Sequence, residues 1–355
     1  MWLADKWDDY ELLDCSGGEK LERWGRHILV RPDPQAIWRT PKEHPGWESP
    51  DARYMRSKSG GGRWNAGGVQ GSWRIGYRGS AFCGGPLPGG GLVSDGGKAP
   101  DDRPVCGRGP MPGGRQTYGS GTASDGGLVS DGELVFNVGL MNFKHTGLFP
   151  EQAVNWEYIA EKVRSAGRKV SVLNLFAYTG GATLAAAAAG ADVCHVDAAR
   201  GMVLRAKENV RASGLEDAPV RWIIDDCAKF VEREIRRGRR YDALIMDPPS
   251  FGRGPSGEVW KLEDGLYDFV KLCAGVLSDD PLFVLINSYT AGLSPSALSY
   301  IARSLLGGQA ESREIGLPVK SSGLALPCGA TCRWEPDPVS SEAAGGLPSE
   351  ERHSG

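Results

Sequence analysis

From residue 133 onward, the chain alternates between short apolar runs and longer segments in which apolar positions recur every three or four residues. Short apolar runs bounded by turn residues predict buried strands, whereas a period near 3.6 residues predicts amphipathic helices. Regular alternation of the two predicts a mostly parallel sheet with helices on both faces. We therefore expect an α/β domain over residues 132–335.

The predicted strands and helices of this domain are separated by short turns. In chain order they are strands at 133–143 and 171–176, a helix at 181–189, a strand at 191–197, a helix at 199–213, a strand at 219–224, a helix at 227–237, a strand at 241–247, a helix at 262–277, a strand at 281–289, a helix at 295–306 and an edge strand at 325–334. Residues 172–194 carry no charge before Asp192. The polar residues Asn174 and Tyr178 and the change from strand to helix period argue against a membrane span there.

The remainder of the chain divides into three zones by composition. Residues 1–64 are rich in tryptophan and proline and contain short strand-like runs, which predicts a small β-rich segment. Residues 65–131 are dominated by Gly, Ser, Pro and Asp and contain the sequence GGLVSDG at 90–96 and again at 126–132. This composition predicts a disordered insertion, and residues 336–355 predict a disordered tail for the same reason.

Net charge and cysteine spacing limit the kinds of ligand that this protein is expected to bind. A net charge of -3 does not favour non-specific binding of polyanions, so contact with nucleic acid requires a local basic patch. The stretches 53–63 and 229–242 are candidates, although a solvated helix end also explains the second. The eight cysteines form no C-x-x-C pair, so we expect no metal site. The first residues lack a basic region followed by an apolar core, so we expect no signal peptide and a cytoplasmic location.

A glycine turn joins the strand at 171–176 to an alanine-rich helix. It reads Tyr178-Thr179-Gly180-Gly181. Glycine lets the backbone approach a ligand closely, and a helix start offers free N–H groups. The turn does not match G-x-G-x-x-G, which argues against a dinucleotide and an NAD-dependent oxidoreductase. S-adenosylmethionine (SAM), which has no pyrophosphate, needs no phosphate cradle and fits this turn; a tight strand-to-helix turn that uses glycine without a ligand is the alternative.

Acidic residues follow the next two predicted strands at the same edge of the sheet. A carboxylate at Asp197 can accept hydrogen bonds from both ribose hydroxyls of an adenosine; a helix N-cap is the alternative. Asp225 and Asp226 follow the third strand, where either carboxylate can accept a hydrogen bond from the adenine amine. Capping of the next helix stays open as the alternative for both residues.

A second motif, Asp247-Pro248-Pro249-Ser250-Phe251, follows the buried strand ALIM. Two successive prolines end the sheet ladder and fix an extended turn that holds the carboxylate and the adjacent carbonyls toward the crevice. Phe251 can stack on a planar base. With the glycine turn, this motif predicts a SAM methyltransferase with Asp247, Pro248, Pro249 and Phe251 at the reaction centre. A two-proline loop without function is the alternative.

The motifs together resemble the bacterial 23S rRNA methyltransferase family, which includes the large-subunit rRNA 5-methylcytosine enzymes. The resemblance covers roughly residues 134–335 and is carried by FKHTGLFPEQAVNW at 143–156, the glycine turn, Asp197, the Asp225-Asp226 pair and DPPSF. It implies a Rossmann-like, seven-strand methyltransferase sheet with SAM as cofactor and RNA as substrate. It also implies that one segment closes over the cofactor, with Thr146, Gly147, Phe149 and Gln152 as its matching residues.

Two features depart from that family. Its carbon-5 enzymes need a cysteine nucleophile after the fifth strand, because that carbon reacts only once covalent addition has activated the ring. The segment 286–295 has Asn287 and Ser288 there instead, so we expect a nitrogen as methyl acceptor, with Asn287 or Tyr289 lining the pocket. The amino terminus does not resemble the RNA-binding domain that commonly precedes these enzymes. A methyltransferase for a small molecule or protein and a non-catalytic SAM-binding module remain alternatives.

Overall fold

The computed structural model describes residues 1–57, 61–69, 71–82, 132–141, 144–253 and 259–338. The strands within these ranges are β1 (Trp2–Leu3), β2 (Tyr10–Ser16), β3 (Glu19–Trp24), β4 (His27–Pro32), β5 (Ala52–Arg56), β6 (Gly62–Ala66), β7 (Ser72–Tyr77), β8 (Leu134–Gly139), β9 (Ser171–Leu175), β10 (Asp192–Asp197), β11 (Val220–Ile224), β12 (Ala243–Met246), β13 (Phe251–Arg253), β14 (Val259–Lys261), β15 (Phe283–Ser288), β16 (Gln309–Pro318) and β17 (Ala325–Glu335). The α-helices are α1 (Ala153–Ser165), α2 (Gly181–Ala188), α3 (Arg200–Ala212), α4 (Cys227–Arg236), α5 (Leu262–Ala274) and α6 (Pro295–Leu306), and short 3-10 turns occupy Pro45–Trp47 and Pro150–Gln152.

The largest sheet has eight strands in the order β1-β16-β17-β15-β12-β9-β10-β11. The five strands from β15 to β11 are mutually parallel, and β17 is antiparallel to both of its neighbours. This architecture confirms the predicted α/β class, with seven strands extended by the two-residue β1. The edge position predicted for the strand at 325–334 is wrong, because β17 lies between β15 and β16. The predicted elements missed β16, since its first six residues are mostly exposed and form no apolar run.

Alternate residues of the central strands enter two separate hydrophobic clusters. In β12, Ala243 and Ile245 belong to the cluster that contains α1 and α2 residues, whereas Leu244 and Met246 belong to the cluster that contains α4, α5 and α6 residues. This division follows from the two-residue side-chain period of a strand. The sheet is therefore covered on both faces, as the continuous apolar runs predicted.

The predicted amino-terminal β-rich segment forms a five-stranded sheet in the order β2-β3-β4-β5-β6. Its hydrophobic core is continuous with that of the larger domain. Trp7, Tyr10 and Trp24 belong to the same hydrophobic cluster as Phe136 and Trp156. The Trp7 ring packs edge-on against the Trp156 ring at a centroid distance of 5.8 Å.

The predicted disordered insertion at 65–131 contains regular structure in its first part. Strand β7 pairs antiparallel with β8, and its residues Ile75 and Tyr77 are buried. The prediction of disorder is wrong for these residues. Strand β7 has few apolar residues, but it is ordered because it pairs with β8, more than fifty positions further along the chain. Residues 83–131, with one copy of the GGLVSDG repeat and nearly all of the other, and the tail from 339 to 355 lie outside the described residues.

No helix in the described parts of the chain has both the length and the apolar character needed to cross a bilayer. Across the same ranges, no three His, Cys, Asp or Glu side chains are grouped as ligands of a metal ion. The described cysteines, including Cys328 and Cys332, are free thiols. Cys83 and Cys106 lie outside the described residues.

Candidate active site

The turn after β9 has an unusual backbone. Phe176 and Tyr178 adopt φ angles of 55° and 50°, in the left-handed region that non-glycine residues rarely occupy. Contacts from the following elements hold them there. The Tyr178 N–H donates to Asp197 Oδ2 at 2.8 Å, and the Phe176 N–H donates to Cys227 Sγ at 3.3 Å. Such conformations persist only where surrounding structure enforces them, and they cluster at functional sites.

Both glycines of the turn are required by packing as well. Gly180 has a φ of 87° and is the N-cap residue of α2, and a Cβ atom on it would lie 2.9 Å from Ala206 Cβ. A Cβ atom on Gly181 would lie 2.6 Å from Trp156 Cζ2. Close packing of α2 against α3 and α1 therefore accounts for these glycines without a ligand. That the same turn also lets a ligand approach the backbone closely stays a prediction.

Asp197 is half-buried at the carboxyl end of β10. Its Oδ2 accepts the hydrogen bond from Tyr178 N, and its Oδ1 accepts one from Ala199 N at 2.8 Å. The N-cap residue of α3 is Ala199, so the capping alternative for Asp197 is not what the structure shows. Burial raises the pKa of the Asp197 carboxyl, and the two backbone hydrogen bonds oppose that rise. Each oxygen keeps further acceptor capacity, which suits a pair of vicinal hydroxyls.

The Asp225-Asp226 pair is engaged within the protein. Asp226 is the N-cap residue of α4, and its side chain accepts from Lys229 N at 2.9 Å, which confirms the capping alternative for this residue. Asp225 accepts from Asp226 N at 2.9 Å and forms an ion pair with Arg233. Contact of either carboxylate with an adenine amine stays a prediction.

The segment containing Thr146, Gly147, Phe149 and Gln152 lies directly against the glycine turn. Gly147 O accepts from Thr179 Oγ1 at 2.7 Å. The Phe149 ring lies 5.5 Å from the rings of both Tyr178 and Tyr289. Thr146, at the start of the segment, is fully buried, and its Oγ1 accepts from Arg31 Nη1 at 3.4 Å. The segment thus bridges the amino-terminal sheet and the carboxyl edge of the large sheet.

A chain of side-chain amides leads from this segment to Asp247. Gln152 Nε2 donates to Tyr289 Oη at 2.8 Å, and Asn155 Nδ2 donates to both Gln152 Oε1 at 2.9 Å and Asn287 Oδ1 at 3.1 Å. Asn287 in turn hydrogen-bonds to the Asp247 carboxylate. Sequence analysis named Asn287 and Tyr289 but missed Asn155. The only signal for it was a polar residue on the otherwise apolar face of a helix.

Asp247 follows β12 and is partly exposed toward the cleft. Desolvation by its surroundings and the nearby charge of Glu151 raise the pKa of this carboxyl, and the Asn287 hydrogen bond opposes the rise; the resulting pKa is about 7. Glu151 is itself buried, and desolvation raises its pKa as well. Both protonation states of Asp247 are therefore populated near neutral pH. Glu151 had no sequence signal, because its effect depends on a contact made only in the fold.

The two prolines differ in their surroundings. Pro248 is buried, whereas Pro249 is exposed and its carbonyl accepts from Trp260 Nε1 at 2.6 Å. The β13–β14 hairpin thus brings Trp260 onto the Pro249 carbonyl, and orientation of this carbonyl toward the crevice stays a prediction. Phe251 begins β13 and is 54% exposed, at the rim of the site. Its role in base stacking stays a prediction.

These elements enclose a cleft between the glycine turn, the 146–152 segment and Asp247. Its lining comprises Leu148, Phe149, Gln152, Asn155, Trp156, Ile159, Asn174, Phe176, Ala177, Tyr178, Thr179, Gly181, Ala182, Ile245, Asp247, Leu285 and Asn287. Seven residues predicted for the site are among them, and Asp197 is joined to the cleft through Tyr178. Among the described lining residues there is no cysteine.

Comparisons with known proteins agree with this arrangement. Residues 112–263 match the family model described as S-adenosylmethionine-dependent methyltransferase. The crystal structure of the SAM-dependent methyltransferase from Agrobacterium tumefaciens is similar with a TM-score of 0.75 and 32% identity, over 95% of this chain and 93% of that one. A SAM-dependent methyltransferase from Streptococcus mutans, named as putative, has the same fold, with a TM-score of 0.60 and 16% identity over 92% of this chain and 76% of that one.

Ribosomal RNA large subunit methyltransferases are similar over a smaller part of the chain. The K/L enzyme of Shewanella pealeana is 33% identical over 153 residues, which are 43% of this chain and 19% of that protein. Methyltransferase K of Neisseria meningitidis serogroup B is 30% identical over 173 residues, which are 48% of this chain and 47% of that protein. The chain thus spans between about a fifth and a half of the length of these relatives.

Proposed function

Because the chain belongs to the family of SAM-dependent methyltransferases, we propose that it transfers the methyl group to a base nitrogen of RNA, and of large-subunit ribosomal RNA in particular. The observation that carries this proposal is the Asp247 carboxylate. It lies at the carboxyl end of β12 beside the cleft, oriented by an amide network, with no cysteine among the described lining residues.

The residues of the cleft fit the cofactor. Asp197 would hold the ribose hydroxyls, since each of its oxygens accepts one backbone hydrogen bond, from Tyr178 N and Ala199 N, and keeps further acceptor capacity. The amide oxygens of Gln152 and Asn155, together with the turn at Thr179, offer polar partners for the amino-acid part. The aromatic and aliphatic lining excludes water from the rest. When bound, SAM supplies an electrophilic methyl group attached to a sulfonium.

Asp247 is suited to a nitrogen acceptor. Its carboxylate would accept a hydrogen bond from the amino or ring N–H of the target base and take up the proton released on methylation. A pKa of about 7 makes it a stronger base than an ordinary aspartate while leaving much of it ionised at neutral pH. Asn287, whose amide is held by Asn155 and Gln152, hydrogen-bonds to the carboxylate and favours its ionised form.

The surroundings disfavour attack on a carbon. Ser288 is buried in β15, and its Oγ accepts from Thr290 N at 3.2 Å, with no basic side chain as a hydrogen-bond partner among the described residues. Cys328 lies on the adjacent strand β17, where burial raises the pKa of its thiol well above the usual range. Neither residue is an activated nucleophile, whereas a nitrogen lone pair needs no covalent intermediate.

Two observations support an RNA substrate. The relatives from Shewanella pealeana and Neisseria meningitidis are both named as ribosomal RNA large subunit methyltransferases. In this chain, burial lowers the pKa of Lys144, and the nearby positive charges of Lys20, Arg31 and Arg56 lower it further. Lys20 and Arg31 are buried and paired with Glu22 and Asp33, so the half-buried Lys144 and the exposed Arg56 are the cations that can contact a phosphate backbone beside the 146–152 segment.

The test is transfer of tritiated methyl from SAM into a host extract that is then separated into RNA, protein and small-molecule fractions. We expect label in RNA, removal of that label by ribonuclease, and its loss in an Asp197→Ala variant. Nucleoside analysis of the labelled RNA should give an N-methylated base. Label confined to protein or small molecules would overturn the RNA assignment, and 5-methylcytosine would overturn the nitrogen assignment.

A further inference from the structure

A second cavity lies at the amino-terminal ends of the parallel strands, opposite the candidate active site. This recess of about 500 Å³ is lined by Ser171, Asp192, Val193, Cys194, Pro219, Arg221, Glu234, Arg237, Arg239, Arg240 and Tyr241. Four of these residues are arginines, in a chain whose net charge is -3. We call this cavity the arginine recess.

A single buried carboxylate organises two of the arginines. The Glu234 side chain is fully buried, and it lies 3.0 Å from both Arg221 Nη1 and Arg237 Nη1. The Tyr241 hydroxyl donates to the same carboxylate at 2.7 Å. Because Arg221 comes from β11 and Arg237 from the end of α4, the cluster is built by two elements. It is therefore more than the ordinary excess of cations at a helix carboxyl terminus.

One carboxylate shared by two guanidinium groups leaves positive charge in excess. Arg239 and Arg240 add to that excess, and among the described residues neither forms an ion pair. Arg240 Nη1 donates to Gly275 O at 2.6 Å, which fixes its position at the wall of the recess. Of the two acids in the lining, Asp192 pairs with Lys169 at 2.9 Å and so does not offset the arginines. Guanidinium groups of this kind match the geometry of phosphate oxygens.

Helix α4 connects the recess to the opposite edge. The helix begins beside Asp226 at the carboxyl edge and ends at the recess, about 15 Å away for its ten residues. Lys229, Arg233 and Arg236 follow one another at spacings of four and three residues, so they lie along one face of the helix. Lys229 and Arg236 are exposed, whereas Arg233 pairs with Asp225 and Glu232 lies on the same face. A stripe of mixed charge, with Lys229 and Arg236 as its exposed cations, therefore runs from the carboxyl edge of the sheet to the arginine recess.

We propose that the arginine recess and this stripe bind the phosphodiester backbone of the RNA substrate, away from the methylated base. The proposal rests on the proposed RNA methyltransferase function. Backbone contacts of this kind position a nucleic acid without selecting its sequence. They explain how a chain with a net negative charge holds RNA on the side opposite its acidic cofactor edge.

The test compares the full-length protein with an Arg239→Gln/Arg240→Gln variant, which removes two guanidinium groups but keeps Glu234 and its partners. An Arg39→Gln/Arg303→Gln variant makes the same charge change at exposed positions outside the recess. Binding of a fluorescein-labelled RNA hairpin of mixed sequence is measured across a salt series, with inorganic pyrophosphate as a second probe. SAM binding serves as the folding control.

We expect the recess variant to bind the hairpin roughly tenfold more weakly and to reduce the slope of log K against log salt by about 2, one for each lost phosphate contact. The control variant should bind as the wild type does. Equal affinity and slope in the recess variant would overturn the proposal. So would recess-dependent binding of pyrophosphate by a protein that does not bind the hairpin, because the recess would then be a site for free anions.

These outcomes are separable from failure of the proposed function. A wild-type protein that binds the hairpin through the recess but labels only protein or small molecules would refute the substrate, not the phosphate-binding surface. A protein that methylates RNA with equal efficiency in wild-type and recess variants at every salt concentration would support the function and refute the surface.

Discussion

The two edges of the large sheet carry opposite chemistry on the same strands. At the carboxyl edge, Asp197 and Asp247 are partly shielded from solvent and held by hydrogen bonds from the backbone or from side-chain amides. At the amino edge, Arg221, Arg237 and their neighbours are mostly exposed and meet one buried carboxylate. Parallel strands place all of their carboxyl ends together, so groups that must act on one atom collect there. The amino edge suits contacts with phosphate groups, which depend on positive charge more than on exact geometry.

The largest expected effect comes from removing the carboxylate at the reaction centre. Asp247→Ala should lower methyl transfer to RNA by about 10²- to 10⁴-fold, the range found for lost general bases. It should leave the affinity for the RNA hairpin and its salt dependence unchanged, because those belong to the arginine recess. Single-turnover transfer and anisotropy measure the two quantities. Transfer above half of the wild-type rate would refute the role of Asp247.

The two ends of β10 provide a matched pair for the cofactor. Asp197→Ala should weaken SAM binding by about 10- to 100-fold, since hydrogen bonds to a charged group contribute roughly 1.5–3 kcal/mol. Asp192→Ala, on the same strand at the amino edge, should leave SAM affinity unchanged. Calorimetric titration with SAM measures both. Equal affinities for the two variants would show that the ribose is held elsewhere.

Near neutral pH, methyl transfer at the carboxyl edge should depend on pH, whereas RNA binding at the amino edge should not. Because the reactive form of Asp247 is the carboxylate and its pKa is about 7, kcat/KM should rise as pH increases through 7. At pH 6 it should be about one tenth of its plateau value. Arginine does not titrate in this range, so hairpin affinity should be the same at pH 6 and pH 8. A profile already flat at pH 6 would mean that Asp247 is fully ionised below that pH.

The smallest expected effect concerns the helix that joins the two edges. Asp226→Ala removes the N-cap of α4 and should lower the free energy of unfolding by about 1 kcal/mol, as seen for other caps. Denaturant titration measures this change. If the capping role is the only one, SAM affinity should change less than twofold. A tenfold loss of SAM affinity would instead support contact between this carboxylate and the adenine.

The elements that sequence predicted well are those whose signal is local. Strand–helix alternation located β9, β10, β11, β12 and β15 within a few residues but missed the β13–β14 hairpin, and the rule for parallel sheets placed Asp197 and Asp247 at one edge. Strand β7 and the edge order of β16 and β17 were missed because their stability depends on partners distant in the chain. Helix α1 was also missed, although it supplies Asn155.

Local environment was the other limit of sequence analysis. Nothing in the DPPSF motif indicates that Trp260 donates a hydrogen bond to the Pro249 carbonyl or that Glu151 raises the pKa of Asp247. Both effects come from residues brought close only by folding. Equally, the basic run at 229–242 looked like a solvated helix end, because Arg221, which closes the recess, comes from the preceding strand.

The continuous core between the amino-terminal sheet and the larger domain bears on how this protein can be recombined. Lys20 and Arg31, on β3 and β4, oppose the rise in the pKa of Glu151, whose charge in turn raises that of Asp247. Arg31 also holds the loop carrying Thr146. Exchange of the first seventy residues for those of a homologue would therefore change the pKa of Asp247 as well as the surface of the protein. Recombination between homologues should therefore exchange the two sheets together.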